Sequence, residues 1–503
     1  MKLNVPNEIK SIAQTLEKAG YQAYLVGGCV RDMLLPSPPA GGPKDWDVAT
    51  NATPSATQEI FPDSVYENDF GTVGVKTDSE NPKLKVIEVT TFRVEGKYTD
   101  KRHPDEVKFA QTIEEDLSRR DFTVNALAIN FAKGKFDKII DPFGGEKDLK
   151  ENIVKTVGLP DERFKEDALR LMRAVRLATE LSSFSAGGGP SSGWQIELNT
   201  RRAIEKNAGL LETIAKERIR DELIKILMAP RAAEGVILLE ELNLLKNIIP
   251  ELREGLGCGQ NKHHIYTVFE HNIRALAYTA KQNYSLLIRL ASLLHDVGKP
   301  ATKRGDGPDS TFHGHEVVGG RITAQIVDRL RFPKDFGEKV VHLVRQHLFY
   351  YNVDEVTAAG VRRFLARVGP ENIDDLIKVR EADRIGSGVP KAVPYKLRHL
   401  LFMIDKVKSD PISPKMLKVN GADVMQIAKL DPSPKVGFIL SILLEEVLDD
   451  PEKNTHDHLE SRIQELNKLS EKELKAMSEK AKETKLEYES EEEDKIKSKH
   501  HVK

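Results

Sequence analysis

The sequence predicts an α+β protein, a small head of mixed sheet with helices followed by a long all-α body. Three observations carry this. AYLVGGCV, at residues 23–30, and KVIEVTTF, at 85–92, are short β-rich runs and read as strands. From Arg163 onward the apolar residues instead recur at helical spacing, as in FKEDALRLMRAVRLATEL and ERIRDELIKIL. The chain has 503 residues, more than one hydrophobic core organises.

The elements follow in order. Residues 1–20 form an amphipathic helix. The first strand runs into the Gly27–Gly28 turn and then a helix. PSPPAGGPK is a surface loop, and SAGGGPSSG at 185–193 is a loop or short insertion. Residues 255–260 are a hinge before a block that carries most of the histidines. Beyond about 455 the chain is almost all charged or polar with no wide apolar face, so it reads as a disordered tail or a solvated helix. These shifts place boundaries at 1–150 for the head, 151–255 for a helical neck, 256–390 for the histidine-bearing region, 391–455 for a further helical region and 456–503 for the tail.

Composition excludes several classes. Lys and Arg number 76 against 78 Asp and Glu, for a net charge of −2. Global charge therefore argues neither for nor against nucleic acid. Two cysteines, Cys29 and Cys258, cannot build a disulfide framework or a cysteine-ligated zinc site. No apolar run reaches the length of a membrane span. The amino-terminal stretch lacks a secretory apolar region, which points to the cytoplasm.

Chemistry concentrates first around Gly27, Gly28 and Arg31, followed by Asp45 and Asp47. A strand entering Gly-Gly and then a helix turns backbone N–H groups toward an anion, and Arg31 adds a cation. On an extended segment the side chains of Asp45 and Asp47 point the same way. Two carboxylates at one spot call for cations, and Mg²⁺ takes such ligands together with substrate phosphates. Two such ions would clamp both oxygens of a phosphoryl transfer.

GGCVRD followed by KDWDVAT resembles the signature of polymerase-β-type nucleotidyltransferases. More narrowly, it resembles the bacterial branch containing CCA-adding enzymes and poly(A) polymerases. The loop between the two halves is a few residues longer than that pattern. In this superfamily a further acidic residue sits on a neighbouring strand. Glu88 is the candidate, as metal ligand, as a group orienting the primer hydroxyl, or as a plain strand residue. RRDFTVNA, at 119–126, resembles the family's ribose- and triphosphate-binding motif. It implies Arg120 on the triphosphate and Asp121 with Asn125, one helical turn apart, on the ribose 2′-OH. Asp121 is equally suited to cap the helix that follows.

EDALRLMRAVR, at 166–176, resembles the nucleotide-selecting motif, with Asp167 and Arg170 sharing a helix face. A carboxylate accepts from the amino group of C or A while a guanidinium donates to the adjacent ring nitrogen. U and G present the reverse pattern. Arg170, Arg173 and Arg176 form a basic stripe suited to phosphates. RVEGKYTDKRHPDEVKF, at 93–109, resembles the flexible loop of the members that add A.

Further on, His271, the HDVGK run with His295 and Asp296, and Asp383 resemble the HD phosphohydrolase superfamily. The resemblance implies those four residues as ligands of a divalent transition metal, with His315 or His347 as additions. Such a domain hydrolyses phosphate esters through metal-activated water, or serves RNA binding. The whole implies addition of CCA to tRNA from CTP and ATP with Mg²⁺, the body following the tRNA acceptor arm. An A-adding enzyme or poly(A) polymerase is the alternative. From another class, the alternative is an HD phosphohydrolase with an inactive RNA-binding head.

Overall fold

The structure, a computed structural model, describes residues 4–36, 38–39, 42–43, 45–68, 71–95, 107–182, 193–261, 265–349, 351–353 and 356–479. Most of the 93–109 loop, nearly all of the 185–193 run and the tail beyond 479 lie outside these residues.

The head begins with helix α1 (Asn7–Lys18), which buries Ile9, Ile12, Ala13 and Leu16, a spacing that lays one apolar stripe on the core. Strand β1 (Ala23–Val26) leads through Gly27 into α2 (Gly28–Leu34), and β2 (Asp47–Thr50) leads to α3 (Pro54–Ile60). Five strands follow before α4 (Ile113–Ser118): β3 (Ser64–Asn68), β4 (Thr72–Lys76), β5 (Val86–Thr91) and the small pair of β6 (Arg93–Glu95) with β7 (Val107–Phe109). The head closes with β8 (Ala128–Ala132), β9 (Lys135–Ile140) and α5 (Gly145–Glu151). The main sheet runs β3-β4-β5-β2-β1-β8-β9. Strands β2 and β5 are parallel and the other neighbours antiparallel, so the sheet is mixed, as predicted.

The neck opens on β10 (Ile153–Val154), paired with β11 (Gln195–Ile196). Its helices are α6 (Pro160–Glu166), α7 (Arg170–Leu181), α8 (Leu198–Asn207), α9 (Lys216–Met228), α10 (Ala232–Glu241) and the short α11 (Pro250–Arg253). The rest is helical: α12 (Val268–Lys281), α13 (Leu286–Leu294), α14 (Lys299–Thr302), α15 (His315–Arg329), α16 (Lys334–Gln346), α17 (Ala358–Val368), α18 (Ile373–Gly386), α19 (Tyr395–Val407), α20 (Gly421–Ala428), α21 (Pro434–Asp449) and α22 (His456–Asn467). The chain forms two compact units. One comprises Met1–Cys258, Leu276–Leu290 and Ala324–Gly337, the other Gly259–Ala275, Ala291–Thr323 and Glu338–Lys503. No helix among the described residues is long and apolar enough to cross a membrane.

One expectation is overturned at the carboxy-terminal end. Helix α22 and the helical residues 471–479 beyond it are neither disordered nor merely solvated. Leu459, Ile463, Leu466 and Leu474 are buried in a core with Val424, Ile439, Leu443 and Val447. The three apolar residues of α22 fall at i, i+4 and i+7, a narrow stripe that packs although the segment is mostly charged.

Candidate functional site

Strand register assembles the acidic centre. Asp47 opens β2, where it stands opposite Val26 of β1 and beside Glu88 of β5. Residues paired in register on neighbouring strands face the same side of a sheet, so the Asp47 and Glu88 side chains share a face. Asp45 is exposed two residues earlier. Burial raises the Asp47 carboxyl above its ordinary range, Arg120 opposes this, and the Asp45 charge adds to it. Two anions that repel across one spot suit a divalent cation held by oxygen ligands.

Gly27 makes room for this centre. Its φ is +76°, and a Cβ there would stand 2.8 Å from Arg120 Nη1 and 3.6 Å from Asp47 Oδ2. Glycine is thus favoured by the backbone, and a methyl there would displace the guanidinium packed against the turn.

A continuous polar network joins the remaining head motifs. Arg31 donates Nη1 to Asn125 Oδ1 at 2.7 Å, and Nε and Nη2 to Asp32 Oδ1 at 2.9 and 2.7 Å. Asn125 Nδ2 donates to Asp121 Oδ1 at 3.1 Å, and Arg173 Nε donates to Asp121 Oδ2 at 2.7 Å. Burial pushes the Asp121 carboxyl up, but Arg173, the Asn125 amide and Arg170 outweigh it and hold it well below the carboxylate range. Asp121 and Asn125 are therefore brought together, but by a single 3₁₀ turn (Thr123–Asn125) and not an α-helix. That turn is capped by Phe122 without a side-chain bond, so the capping role expected of Asp121 is not seen.

The residues expected to select the nucleotide differ from expectation in two ways. Asp167 and Arg170 do not share a helix face. Helix α6 ends at Glu166, Asp167 is extended at φ −137° and ψ 105°, and Arg170 begins α7. Asp167 accepts from Arg218 Nη2 at 2.9 Å and from the Leu169 amide at 3.0 Å. Arg170 donates to Glu166 Oε2 at 2.5 Å and to the carbonyls of Arg163 and Arg119. Nor is there a free basic stripe. Arg170 pairs with Glu166, Arg173 with Asp121 and Arg176 with Glu222 at 3.1 Å. These positive charges are spent on carboxylates that the chain itself supplies.

The second cluster lies in the histidine-bearing region. Nε2 of His271 and His295 are 3.2 and 3.4 Å from Asp296 Oδ2. Nε2 of His315 and His347 are 3.3 and 3.5 Å from the other oxygen, Oδ1. Asp383 Oδ1 lies 3.3 Å from His271 Nε2. The ligand atoms thus form two triads that share Asp296, His271–His295–Asp296 and Asp296–His315–His347, each with atoms within 4.8 Å of one another. Tautomers favour a metal. Nδ1 of His295, His315 and His347 each lies 2.7 Å from the backbone carbonyl three residues back, so Nδ1 carries the proton and Nε2 presents a lone pair. Burial lowers the His295 imidazole, yet Asp296 and Asp383 outweigh it and raise it to about 10, so a bound metal would take the place of the proton that these carboxylates draw to Nε2. His271 Nε2 and His295 Nε2 are 2.9 Å apart, a hydrogen bond when one of them carries a proton and a pair of converging metal donors when neither does. Lys299 Nζ already stands 2.6 Å from Asp296 Oδ2.

All four sequence-predicted ligands converge, and both additions join them on the second oxygen. Sequence reading missed Asp32, Asp116, Glu166, Arg218, Glu222 and Lys299 as partners. Four of these had a local signal: Asp32 adjoins Arg31 and Glu166 stands four residues before Arg170. Asp116 stands three and four residues before Arg119 and Arg120, and Lys299 lies within HDVGK.

Comparison with known proteins agrees with this layout. The poly A polymerase head domain matches residues 23–155, the probable RNA and SrmB-binding site of polymerase A matches 193–256, and the HD domain matches 268–387. The A-adding tRNA nucleotidyltransferase of Deinococcus radiodurans is 37% identical over 355 residues, covering 68% of this chain and 76% of that protein. The CCA-adding enzyme of Anoxybacillus flavithermus is 43% identical over 244 residues, covering 48% of this chain and 55% of that protein. The chain therefore spans about half the length of such CCA-adding relatives. The crystal structure of the Bacillus stearothermophilus CCA-adding enzyme in complex with CTP superposes with a TM-score of 0.65 at 28% identity, covering 92% of this chain and 97% of that one. The Thermotoga maritima CCA-adding enzyme complexed with tRNA shares the fold at 20% identity and a TM-score of 0.55, covering 92% and 97%. Head, RNA-binding segment and HD domain thus follow one another along this chain, and the chain belongs to the tRNA nucleotidyltransferase and poly(A) polymerase family.

Proposed function

We propose that this protein adds CCA to the 3′ ends of tRNA in the cytoplasm, using CTP and ATP and releasing pyrophosphate. One observation supports it above the others: the acidic centre, the Gly27 turn and the Asp121–Asn125 pair form one connected site in the head. Asp45 and Asp47 hold Mg²⁺ there, which when bound neutralises phosphate charge. The chain's own groups supply the positioning. Arg120 meets the triphosphate beside Gly27. Asp121 and Asn125 meet the ribose hydroxyl, their geometry set by Arg31 and Arg173. Glu88 faces the same side as Asp47 and orients the attacking 3′-hydroxyl. Asp167 and Arg170 read the base edge, held by Arg218 and Glu166 on opposite sides of the helix break. Catalysis of this kind is largely positioning and charge stabilisation.

The A-adding reading stands second, carried by the Deinococcus radiodurans relative, whose alignment is longer than those of the CCA-adding enzymes. Transcripts ending before the first C, before the second C and before the A, each given CTP, ATP or both, separate the two. Two C additions followed by one A support CCA addition. Only A on the CC-ended transcript supports the A-adding enzyme, and homopolymeric A on any RNA supports a poly(A) polymerase.

The paired triads around Asp296 support a second activity, hydrolysis of phosphate esters with a divalent transition metal. Cyclic-phosphate and monoester hydrolysis by the wild type, lost in Asp296→Asn while nucleotide addition persists, is the expected result. Equal hydrolysis by both proteins refutes it.

A further inference from the structure

The head buries a carboxylate, that of Asp116, which none of the site roles above uses. Asp116 on α4 is 1% exposed. A capping box formed by Thr112 and Glu115 fixes its helix. Its Oδ1 accepts from Arg119 Nε at 3.0 Å, from Arg119 Nη2 at 2.9 Å and from the Arg93 amide at 3.3 Å. Its Oδ2 accepts from Arg120 Nη2 at 3.3 Å. Burial alone would raise this carboxyl, but Arg119 and then Arg120 outweigh it and keep it below its ordinary range.

Each of these partners leads elsewhere. Arg93 opens β6, half of the small hairpin with β7. The other end of the Arg120 guanidinium packs on the Gly27 turn beside Asp47. The Arg119 carbonyl accepts from Arg170 Nη2 at 3.3 Å. We infer that Asp116 is a positioning residue for nucleotidyl transfer: its single carboxylate orients Arg119 and Arg120 toward the triphosphate and ties them to the stem of the β6–β7 hairpin. This rests on the nucleotidyltransferase reading of the head. Without Asp116, Asp47 is left as the carboxylate that draws Arg120, which pulls the guanidinium off the position a triphosphate would meet. The Arg119 backbone carries the same disturbance to Arg170.

The test compares the wild type with Asp116→Asn, which keeps the shape and removes the charge. Steady-state addition gives KM for CTP, ATP and tRNA as well as kcat. Calorimetry with inorganic tripolyphosphate gives anion affinity independently of turnover, and thermal melting reports folding. Loss of charge-assisted bonds to two arginines raises both nucleotide KM values about tenfold or more and weakens tripolyphosphate binding by a similar factor. The tRNA KM stays within about twofold, because uniform loss of ground-state nucleotide binding leaves it alone. Should Asp116→Asn not fold, Asp116→Glu keeps the charge and displaces it by one methylene, and its nucleotide KM is expected to rise about threefold or more. Nucleotide KM and tripolyphosphate affinity unchanged in a folded variant overturn the inference, even if its melting temperature falls. A wild type that adds no nucleotide to any RNA refutes the nucleotidyltransferase reading instead. The tripolyphosphate comparison then still decides whether Asp116 sets the anion site.

Discussion

Gly27→Ala is the sharpest probe of how the turn and the acidic centre are joined. Two costs follow from the geometry. The residue adopts φ 76° and ψ −136°, a region nearly closed to residues with a Cβ, and holding alanine there costs about 1–3 kcal/mol. The new methyl would also stand 2.8 Å from Arg120 Nη1, so the guanidinium must retreat by about 0.6 Å to reach an ordinary contact of 3.4 Å. The far end of an arginine moves easily, so this second effect costs little stability. It falls on catalysis instead, where a displacement of about 1 Å in a positioning group can lower the rate about 100-fold. A loss of about 30- to 100-fold in kcat/KM for CTP corresponds to about 2–2.7 kcal/mol of transition-state stabilisation. The assay is single-nucleotide incorporation onto tRNA lacking its CCA end, run beside a denaturant melt of both proteins. A variant with wild-type kcat/KM would refute the argument that Gly27 exists to seat Arg120. A variant destabilised by more than about 3 kcal/mol would show that backbone strain had been underestimated.

Three further outcomes are expected. Asp45→Ala abolishes nucleotide addition while leaving stability within about 0.5 kcal/mol, since the side chain is exposed; full activity in that variant would sink the assignment of Asp45. Ile463→Ala, at a fully buried position of the carboxy-terminal core, costs about 2–5 kcal/mol in a denaturant melt, whereas a solvated tail would tolerate it. Asp121 has its carboxyl held below the ordinary range by Arg173, Asn125 and Arg170 against its burial, so its contribution is present above the unfolded pKa of about 4 and is lost as pH falls below it. Melting from pH 6 to pH 3 should therefore destabilise the wild type more steeply than Asp121→Asn, and parallel curves would contradict the pairing.

Much of the head's chemistry was legible because its motifs are contiguous. Gly27, Gly28 and Arg31 fall within five residues, and Asp45 and Asp47 are two apart, so local backbone geometry suffices to place them together. The same holds for the candidate HD ligands His295 and Asp296. The break at Asp167 was not legible. Spacing of three residues is compatible with a helix, and only Arg218, 51 residues away, reveals that the Asp167 carboxylate is held by α9 after α6 has ended. Helix α22 was misread for a different reason. Its charged composition hides a three-residue apolar stripe, which becomes decisive only when α20 and α21 offer a surface to receive it.

The sequence by itself determined the fold class and the closeness of Asp45 to Asp47, because helical and strand periodicity and short-range spacing are properties of neighbouring residues; its resemblance to a known family pointed to the RRDFTVNA and EDALR segments and to the four candidate HD ligands. Tertiary structure decided which groups act together. Register set Glu88 beside Asp47, a contact across 94 positions tied Arg31 to Asn125, and packing at the ends of α13, α15 and α16 placed His315 and His347 on the second oxygen of Asp296. Ion pairs and ligand geometry depend on distances of 3–4 Å, and in a folded chain those distances are fixed by packing between segments, which no local pattern encodes.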